Sequence, residues 1–180
     1  FAMAQQDVRY YLNGLMLEPA GKLLRAVATD GHRLALCDLA ASVDDGENQQ
    51  VIVPRKGVQE LHRLLEDKDA TVQIELGDNH IRITTDELRF TSKLIDGRFP
   101  DYTRVLPKST NKRVLINRDQ LRQALTRTSI LSNEKYRGIR MDLSENNIKI
   151  QAHNPEQEEA VEEIEARYED ESIVVGFNVT

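Results

Sequence analysis

A strand–turn–strand pattern occurs twice in this 180-residue sequence, at a constant offset of 124 positions that runs from Gly14 to Gly138. An offset of this length is typical of a duplicated domain and not of a short solenoid repeat. The repeat therefore predicts two units with the same sheet. Aliphatic positions align without a gap at this offset: Leu15 with Ile139, Leu17 with Met141, Leu24 with Ile148, Ala26 with Ile150 and Ala28 with Ala152.

Each half also contains a strand followed by a helix, over Val51–Glu66 and over Val114–Ser132. Pro54 precedes the first helix at a position where its missing N–H is not needed. Asn117, three residues before Gln120, predicts the N-cap of the second helix. Shorter apolar runs with alternating polar residues predict antiparallel strands, so the fold class is α+β. The remaining elements that we predict are a helix tail over Ala2–Arg9, a strand over Tyr10–Glu18 and a meander over Thr71–Leu94.

The stretch from Val27 to Leu36 predicts a β-hairpin, because Asp30-Gly31 lies between two apolar runs and Gly accepts a positive φ. His32 and Arg33 follow this turn and are not needed to form it. Two interpretations stay open at this point: the pair is a solvated turn, or it borders a binding site at the edge of a sheet.

Basic residues concentrate on the two predicted helices, although the net charge of the chain is −6. An acidic chain is not typical of basic nucleic-acid binders, but net charge does not describe how charge is distributed. Arg118 and Arg122 are one helical turn apart and share a face. That face is either ordinary solvated surface or a surface that attracts phosphates without reading bases.

Enzyme chemistry has little support in the sequence, which has neither a P-loop nor a Gly-x-Gly-x-x-Gly motif. The four histidines show no metal-ligand spacing, and the acidic run Gln157–Glu165 is interpreted as a solvated strand or loop face. The single cysteine, Cys37, excludes an internal disulfide, fits a reducing compartment and is expected in the core. We expect no enzyme activity, no cofactor and no metal, and no apolar run is long enough to span a membrane.

Longer motifs make the sequence similar to a known family. It resembles the bacterial sliding clamps, the beta subunits of DNA polymerase III, and looks like a proteobacterial member. The resemblance covers nearly the whole chain, with residues 1–108 similar to the middle clamp domain and residues 109–180 to the N-terminal part of the third. The motifs that carry it are Asp7–Gly14, Val27–Ala35, Val51–Gly57, Phe90–Tyr102, Val105–Pro107, Ile130–Gly138 and Asn154–Ala160.

The resemblance implies a DNA clamp fold, in which a homodimeric ring has antiparallel sheets outside and helices lining its interior. Such a ring is a processivity factor that encircles duplex DNA without sequence specificity. It implies a cytoplasmic protein that tethers polymerase, clamp loader and repair proteins through an apolar cleft for linear motifs of the Gln-x-x-Leu-Phe type.

The resemblance also implies the site residues, and it favours His32 and Arg33 as the border of a site. Gln6, Tyr10 and Tyr11 are similar to positions that contact DNA, and Arg55, Lys56, Arg118 and Arg122 are the basic helix positions expected near phosphates. The expected cleft residues are Arg9, Leu12, Thr29, Gly31, His32, Arg33, Leu34, Pro100, Arg104 and Val105.

Two other functional classes stay open. One is a small-molecule-binding or hydrolytic enzyme that uses Asp30, His32 and Cys37, and the other is a purely structural repeat protein. We further expect the sequence to be a fragment, without the first clamp domain and with a shortened third. Such a fragment is expected to be monomeric, not to encircle DNA and to bind partner peptides more weakly than an intact clamp.

Overall fold

The computed structural model describes residues 1–42, 49–65, 71–108 and 111–179. Its contacts divide the chain into two compact units, Phe1–Val105 and Leu106–Thr180. The sequence also predicts an acidic surface loop over Ala40–Gln50, of which residues 43–48 lie outside the described residues. The predicted end of the first helix at Glu66 and the predicted start of the second domain at residue 109 lie outside them as well. Within the described residues, no helix is long and apolar enough to cross a membrane.

The described residues of the first unit form two antiparallel sheets and one α-helix, besides short 3₁₀ turns. The larger sheet has the strand order β3-β2-β1-β4, and the smaller has the order β5-β6-β7. The helix α1, Arg55–Leu64, directly follows β4. The strands are β1 Gly14–Ala20, β2 Leu23–Thr29, β3 Leu34–Ala40, β4 Val51–Pro54, β5 Gln73–Leu76, β6 His80–Thr84 and β7 Arg89–Lys93.

In the second unit, the part of the chain that the structure describes forms one α-helix and one antiparallel sheet of order β10-β9-β8-β11. The helix α2 spans Arg118–Ser129, and its N-cap is Asn117, whose side chain accepts hydrogen bonds from the backbone N–H groups of Asp119 and Gln120. This confirms the predicted cap. The strands are β8 Gly138–Ser144, β9 Asn147–His153, β10 Glu159–Glu165 and β11 Ile173–Asn178.

The predicted repeat is present in the sheets at the predicted offset. β1 and β2 begin and end 124 positions before β8 and β9, and the two four-stranded sheets have the same order. The helices do not follow the repeat, because α1 comes after its four strands whereas α2 comes before β8. The pairing of Val51–Glu66 with Val114–Ser132 was therefore wrong. Topologically, β4 corresponds to β11.

Four local predictions were also wrong. Ala2–Arg9 is not helical, and Ala2, Met3 and Ala4 are instead buried in irregular backbone. Tyr10–Leu12 forms one turn of 3₁₀ helix, so β1 begins only at Gly14. Val114–Ile116 makes a single bridge, Leu115 to Arg167, and no strand. Cys37 is exposed, because it lies on β3, an edge strand.

The core of the first unit lies on both faces of the larger sheet, since alternate residues of a strand point to opposite faces. On one face, Leu17, Val51 and Val53 pack with Ile81 and Ile83 of the smaller sheet. On the other face, a second cluster contains Met16, Val27 and Ile52 together with residues from outside the sheet. This second cluster supports the candidate site.

Candidate functional site

The floor of the candidate site is the second core cluster of the first unit. Leu12, which is 2% exposed, and the half-buried Leu34 both pack there. Phe99 and Tyr102, which are buried in the same cluster, bring in the chain segment that carries Pro100, Arg104 and Val105. A short 3₁₀ turn, a β-strand and a loop distant in sequence therefore meet over one apolar base.

The hairpin loop between β2 and β3 contains four residues, Asp30–Arg33, because the last paired residues are Thr29 and Leu34. The Asp30 carboxylate accepts hydrogen bonds from the backbone N–H groups of His32 (2.9 Å) and Arg33 (3.0 Å). Thr29 Oγ1 donates to the Arg33 carbonyl (2.7 Å). The loop is therefore a hydrogen-bonded turn that presents the exposed side chains of His32 and Arg33 outward.

The contacts within this loop also change the pKa of the Asp30 carboxylate. Partial burial raises its pKa, but the two backbone hydrogen bonds and the Arg33 guanidinium, whose Nε lies 3.2 Å from Oδ2, outweigh that effect. The pKa of Asp30 is therefore below its usual value, and the carboxylate is occupied in holding the loop.

Arg9 lies against the same loop. Its guanidinium donates to both carboxylate oxygens of Asp7, from Nε at 3.0 Å and from Nη2 at 2.8 Å, and Nη2 is 3.4 Å from the Asp30 carbonyl oxygen. A Cβ atom on Gly31 would be only 3.2 Å from Nη2. Asn13 fixes Asp7 in turn, because the two residues exchange side-chain–backbone hydrogen bonds at 2.9 Å.

Polar contacts of Tyr102 hold the segment that follows Phe99 against the larger sheet. The Tyr102 hydroxyl donates to Glu18 on β1 (3.1 Å) and accepts from Arg25 on β2 (3.2 Å). Arg25 also donates to Asp38 on β3 at 2.7 and 2.8 Å. Tyr102 therefore joins the segment to β1 and β2 directly, and to β3 through Arg25. Hydrogen bonding to Asp38, followed by that to Tyr102, raises the pKa of Arg25 above its usual value.

The rest of this segment is exposed. Arg104 pairs with Asp101 at 2.8 Å, and its side chain remains 84% exposed. Val105 is 70% exposed and Pro100 is also exposed. The exposed Pro100 and Val105 thus follow the buried Phe99 and Tyr102 closely in sequence and add apolar surface to this segment.

Contacts and shared clusters thus connect Arg9, Gly31, Leu12 and Leu34 of the predicted cleft residues. Thr29 ends β2 directly before the loop that contains His32 and Arg33, whereas Pro100, Arg104 and Val105 are connected through Phe99 and Tyr102. Sequence reasoning missed Asp7 and Tyr102. It also missed the hydrogen-bonded side chains around Tyr102, which are Glu18, Arg25 and Asp38. Asp7 and Tyr102 both lie within motifs already noted, Asp7–Gly14 and Phe90–Tyr102, but nothing in those motifs marks their contacts.

The DNA-contact candidates of the first unit differ in exposure. Gln6 is exposed with a left-handed φ of 57°, and Tyr10 is 57% exposed. The Tyr11 ring is edge-on to Tyr10, with centroids 5.8 Å apart, and packs partly into the core cluster. Arg55 donates to the Met3 carbonyl at 2.9 Å, whereas Lys56 is exposed. Gln6, Tyr10 and Lys56 are thus the exposed members of this group, whereas Tyr11 and Arg55 are half-buried.

In the second unit, Arg118 and Arg122 are exposed on α2. Arg118 has a 3.1 Å ion pair with the adjacent Asp119, and its side chain is 90% exposed. Arg122 has no carboxylate partner within the described part of the chain. Arg127, by contrast, is bound to Glu162 of β10 at 2.6 Å, and this hydrogen bond lowers the pKa of Glu162.

The acidic run forms β10, whose side chains alternate between exposed and half-buried. This confirms the interpretation of a solvated strand face.

The residues of the enzyme alternative, Asp30, His32 and Cys37, do not form a shared catalytic site. Asp30 holds its own loop, as described above, and Cys37 is paired in register with Ala26, well along β3 from the loop. We find no hydrogen bond that links these residues to a common reacting centre within the described ranges.

The second unit carries a counterpart of the candidate site at the repeat offset. A cavity of about 580 Å³ is lined there by residues that include Asn133, Tyr136 and His153, the counterparts of Arg9, Leu12 and Thr29. Pro155 stands where the first unit has Gly31. The guanidinium that covers the loop in the first unit is therefore replaced by a short amide side chain in the second.

Comparison with known proteins agrees with the two units. A family model for the DNA polymerase III beta subunit, central domain, matches residues 1–101, and the model for its C-terminal domain matches residues 103–180. The beta sliding clamp of Pseudomonas putida is 62% identical and that of Escherichia coli K12 is 52% identical, each over all 180 residues. The chain spans 49% of the length of both relatives.

Solved structures give the same result. A DNA polymerase sliding clamp from Pseudomonas aeruginosa with ligand superposes with a TM-score of 0.94 at 61% identity, covering 99% of this chain and 49% of that one. A sliding clamp from Bartonella birtlesii bound to griselimycin has a TM-score of 0.92 at 39% identity, with 99% and 50% covered. None of these comparisons supports the enzyme alternative.

Proposed function

This chain belongs to the family of bacterial DNA polymerase III beta subunits, the sliding clamps, and we propose that it acts as part of a DNA polymerase processivity factor. The observation that carries the proposal is that two consecutive family domains match nearly the whole chain in order. The repeated four-stranded sheets support it independently, because the resemblance to sliding clamps implies domains of the same fold.

The proposed peptide site is the surface around the second core cluster of the first unit. Its apolar base, Leu12 and Leu34, buries anchor side chains of a partner, and its loop supplies the Nη donors of the exposed Arg33 side chain. The residues that we assign to it are Arg9, Leu12, Thr29, Gly31, His32, Arg33, Leu34, Pro100, Arg104 and Val105. The partners would be linear motifs of polymerase subunits, clamp loader and repair proteins.

The proposed DNA contacts are electrostatic. Exposed arginines on one helix face attract phosphates without distinguishing sequence, as a sliding protein requires. The residues that we assign are Arg118, Arg122, Arg55 and Lys56, with Gln6, Tyr10 and Tyr11 touching DNA and the tyrosines available for stacking on unpaired bases. Assembly into a homodimeric ring, with the helices inside, sheets outside and a domain boundary near residue 108, and a cytoplasmic location complete the proposal.

The test is fluorescence anisotropy of a labelled Gln-Ala-Ala-Leu-Phe peptide titrated with this protein and with its Arg33→Ala and Leu34→Ala variants. We expect saturable binding to the unmutated protein. Each variant should weaken it by about fivefold to tenfold, because one loses a donor and the other part of the apolar base. Lys93→Ala, exposed on β7 of the smaller sheet, is the control that should leave affinity unchanged.

Two outcomes would contradict this function. Absence of peptide binding by the folded, unmutated protein is one, and equal affinity of all four proteins is the other. Assays of hydrolysis with the His32→Ala variant address the alternative class, since loss of a measured catalytic activity in that variant would favour the enzyme.

A further inference from the structure

The guanidinium of Arg9 is held in one orientation. Asp7 binds it through two parallel hydrogen bonds, and the Asp7 carboxylate also accepts from the Arg9 backbone N–H at 2.8 Å. Such a two-pronged contact fixes the plane of a guanidinium as well as its position. The Asn13 side chain in turn fixes Asp7, because it accepts a hydrogen bond from the Asp7 backbone N–H and donates one to the Asp7 carbonyl oxygen. The side chain is thus ordered before any partner binds, although it is exposed.

The donors of Arg9 are only partly used. A guanidinium has about five N–H groups, of which Nε supplies one bond to Asp7 and Nη2 supplies bonds to Asp7 and to the Asp30 carbonyl oxygen. The N–H groups on Nη1 have no acceptor within the described residues. Because Asp7 balances the charge of Arg9, these groups offer directed hydrogen bonds more than net positive charge.

Gly31 allows this arrangement. Its φ of +89° is left-handed, and a Cβ atom there would lie 3.2–3.3 Å from both Nη atoms of Arg9. The Nη1–Nη2 edge of the guanidinium therefore approaches Gly31 at a distance that only glycine permits without displacement. In the second unit, where Asn133 and Pro155 occupy the counterpart positions, neither the planar cation nor the glycine is present.

We propose that Asp7 is a positioning residue of the peptide site: it holds the Arg9 guanidinium beside Gly31 so that Nη1 faces a neutral carbonyl oxygen of the bound segment. The proposal rests on the peptide-binding function proposed above. The partner chemistry that it specifies is a peptide backbone or amide carbonyl, because the Asp7–Arg9 pair is neutral overall and a carboxylate would gain no net charge attraction.

The experiment is a double-mutant cycle on the full chain, with the labelled Gln-Ala-Ala-Leu-Phe peptide as probe. The proteins are unmutated, Asp7→Asn, Arg9→Ala and the double variant. We expect Asp7→Asn to weaken binding by about fivefold, since an unordered arginine must lose its rotamer freedom on binding. In the Arg9→Ala background, the same substitution should change affinity by less than about 1.5-fold, because its effect passes through Arg9.

Two readouts separate positioning from a general structural role. The thermal midpoint of Asp7→Asn should fall by only a few degrees, since the Arg9 side chain is 48% exposed and such partly solvated pairs contribute little to stability. The Arg9 Nε–H signal in NMR should exchange slowly in the unmutated protein and rapidly in Asp7→Asn. Unchanged peptide affinity in Asp7→Asn, or an equal loss in both backgrounds, would overturn the proposal. Failure of the unmutated protein to bind would instead overturn the proposed function.

Discussion

At the scale of single residues, the candidate site depends on short polar side chains that order longer ones. Asp30 folds the hairpin loop and Asp7 orders Arg9, and in both cases the carboxylate accepts backbone and guanidinium hydrogen bonds. Each carboxylate therefore has a lowered pKa. The border of the site is preorganised by these contacts, which reduces the entropy that a partner must remove on binding.

The titration of Asp7 reports its contact with Arg9 directly. Hydrogen bonds from the Arg9 side chain, then from its backbone N–H, lower the pKa of Asp7 from 3.8 to about 2. A lowered folded pKa contributes stability above the unfolded value of 3.8, and this contribution is lost as pH falls through about 2. Carboxyl NMR titration should give a midpoint near 2, which rises toward 3.8 in Arg9→Ala. A midpoint near 3.8 in the unmutated protein would contradict the contact.

Gly31→Ala should both destabilise the protein and weaken peptide binding. A left-handed residue with a Cβ costs about 1 kcal/mol or more, and here the Cβ also displaces Arg9. Gly21→Ala is the matched control, because Gly21 has a φ of +64° but nothing within 4 Å of the added Cβ. Chemical denaturation and anisotropy should show that both variants lose stability and only Gly31→Ala loses affinity. Equal affinities of the two variants would show that Arg9 does not need this glycine.

At the scale of elements, the two four-stranded sheets repeat in order and offset but differ in how tightly they are covered. Gly14 and Gly138 are the first residues of β1 and β8, at the repeat offset. Around Gly14 the backbone of β4 and the Ile95 side chain leave no room for a Cβ, whereas nothing lies within 4 Å of the position at Gly138. The same residue type therefore has different roles in the two copies.

Substitution of these glycines tests that difference. In Gly14→Ala the Cβ would meet the Val53 carbonyl oxygen at 2.5 Å and the Ile52 side chain at 2.8 Å, so β1 and β4 must separate. We expect a loss of about 2 kcal/mol or more in the free energy of unfolding. Gly138→Ala should change it by no more than about 0.5 kcal/mol. Urea denaturation measures both, and similar losses in the two variants would contradict this packing.

Much of this element structure could be predicted from the sequence. The repeat, the Asn117 cap and the Asp30-Gly31 hairpin all have local signals, namely a period, a capping residue and a turn dipeptide. The exposure of Cys37 could not be predicted, because its apolar neighbours do not reveal that β3 is an edge strand. The burial of Ala2–Ala4 and the Arg9–Gly31 contact also depend on segments distant in sequence, for which hydrophobic periodicity has no information.

At the scale of the whole molecule, an acidic chain is proposed to bind an acidic polymer. Such binding requires that the basic side chains be separated from the acidic ones on the surface. On α2, Arg118 and Arg122 are exposed, whereas Arg127 forms an ion pair with Glu162 of the acidic strand β10. Sequence-blind attraction through few arginines is weak and reversible, which suits a protein that slides.

The salt dependence of DNA binding tests this assignment. Arg122→Ala should weaken binding to duplex DNA and reduce the slope of log affinity against log salt by about one, because one phosphate contact is lost. Arg127→Ala on the same helix is the control, since its guanidinium already pairs with Glu162 at 2.6 Å. Equal slopes for the unmutated protein and Arg122→Ala would remove Arg122 from the proposed DNA surface.

The most direct test of the central claim is to locate the bound peptide on the ¹⁵N-labelled protein by amide chemical shifts during titration with Gln-Ala-Ala-Leu-Phe. The peptide site proposed here predicts that the largest shift changes lie at Leu12, along Thr29–Leu34 and after Phe99. Saturable shift changes confined to the second unit, or absent from the loop Asp30–Arg33, would contradict it.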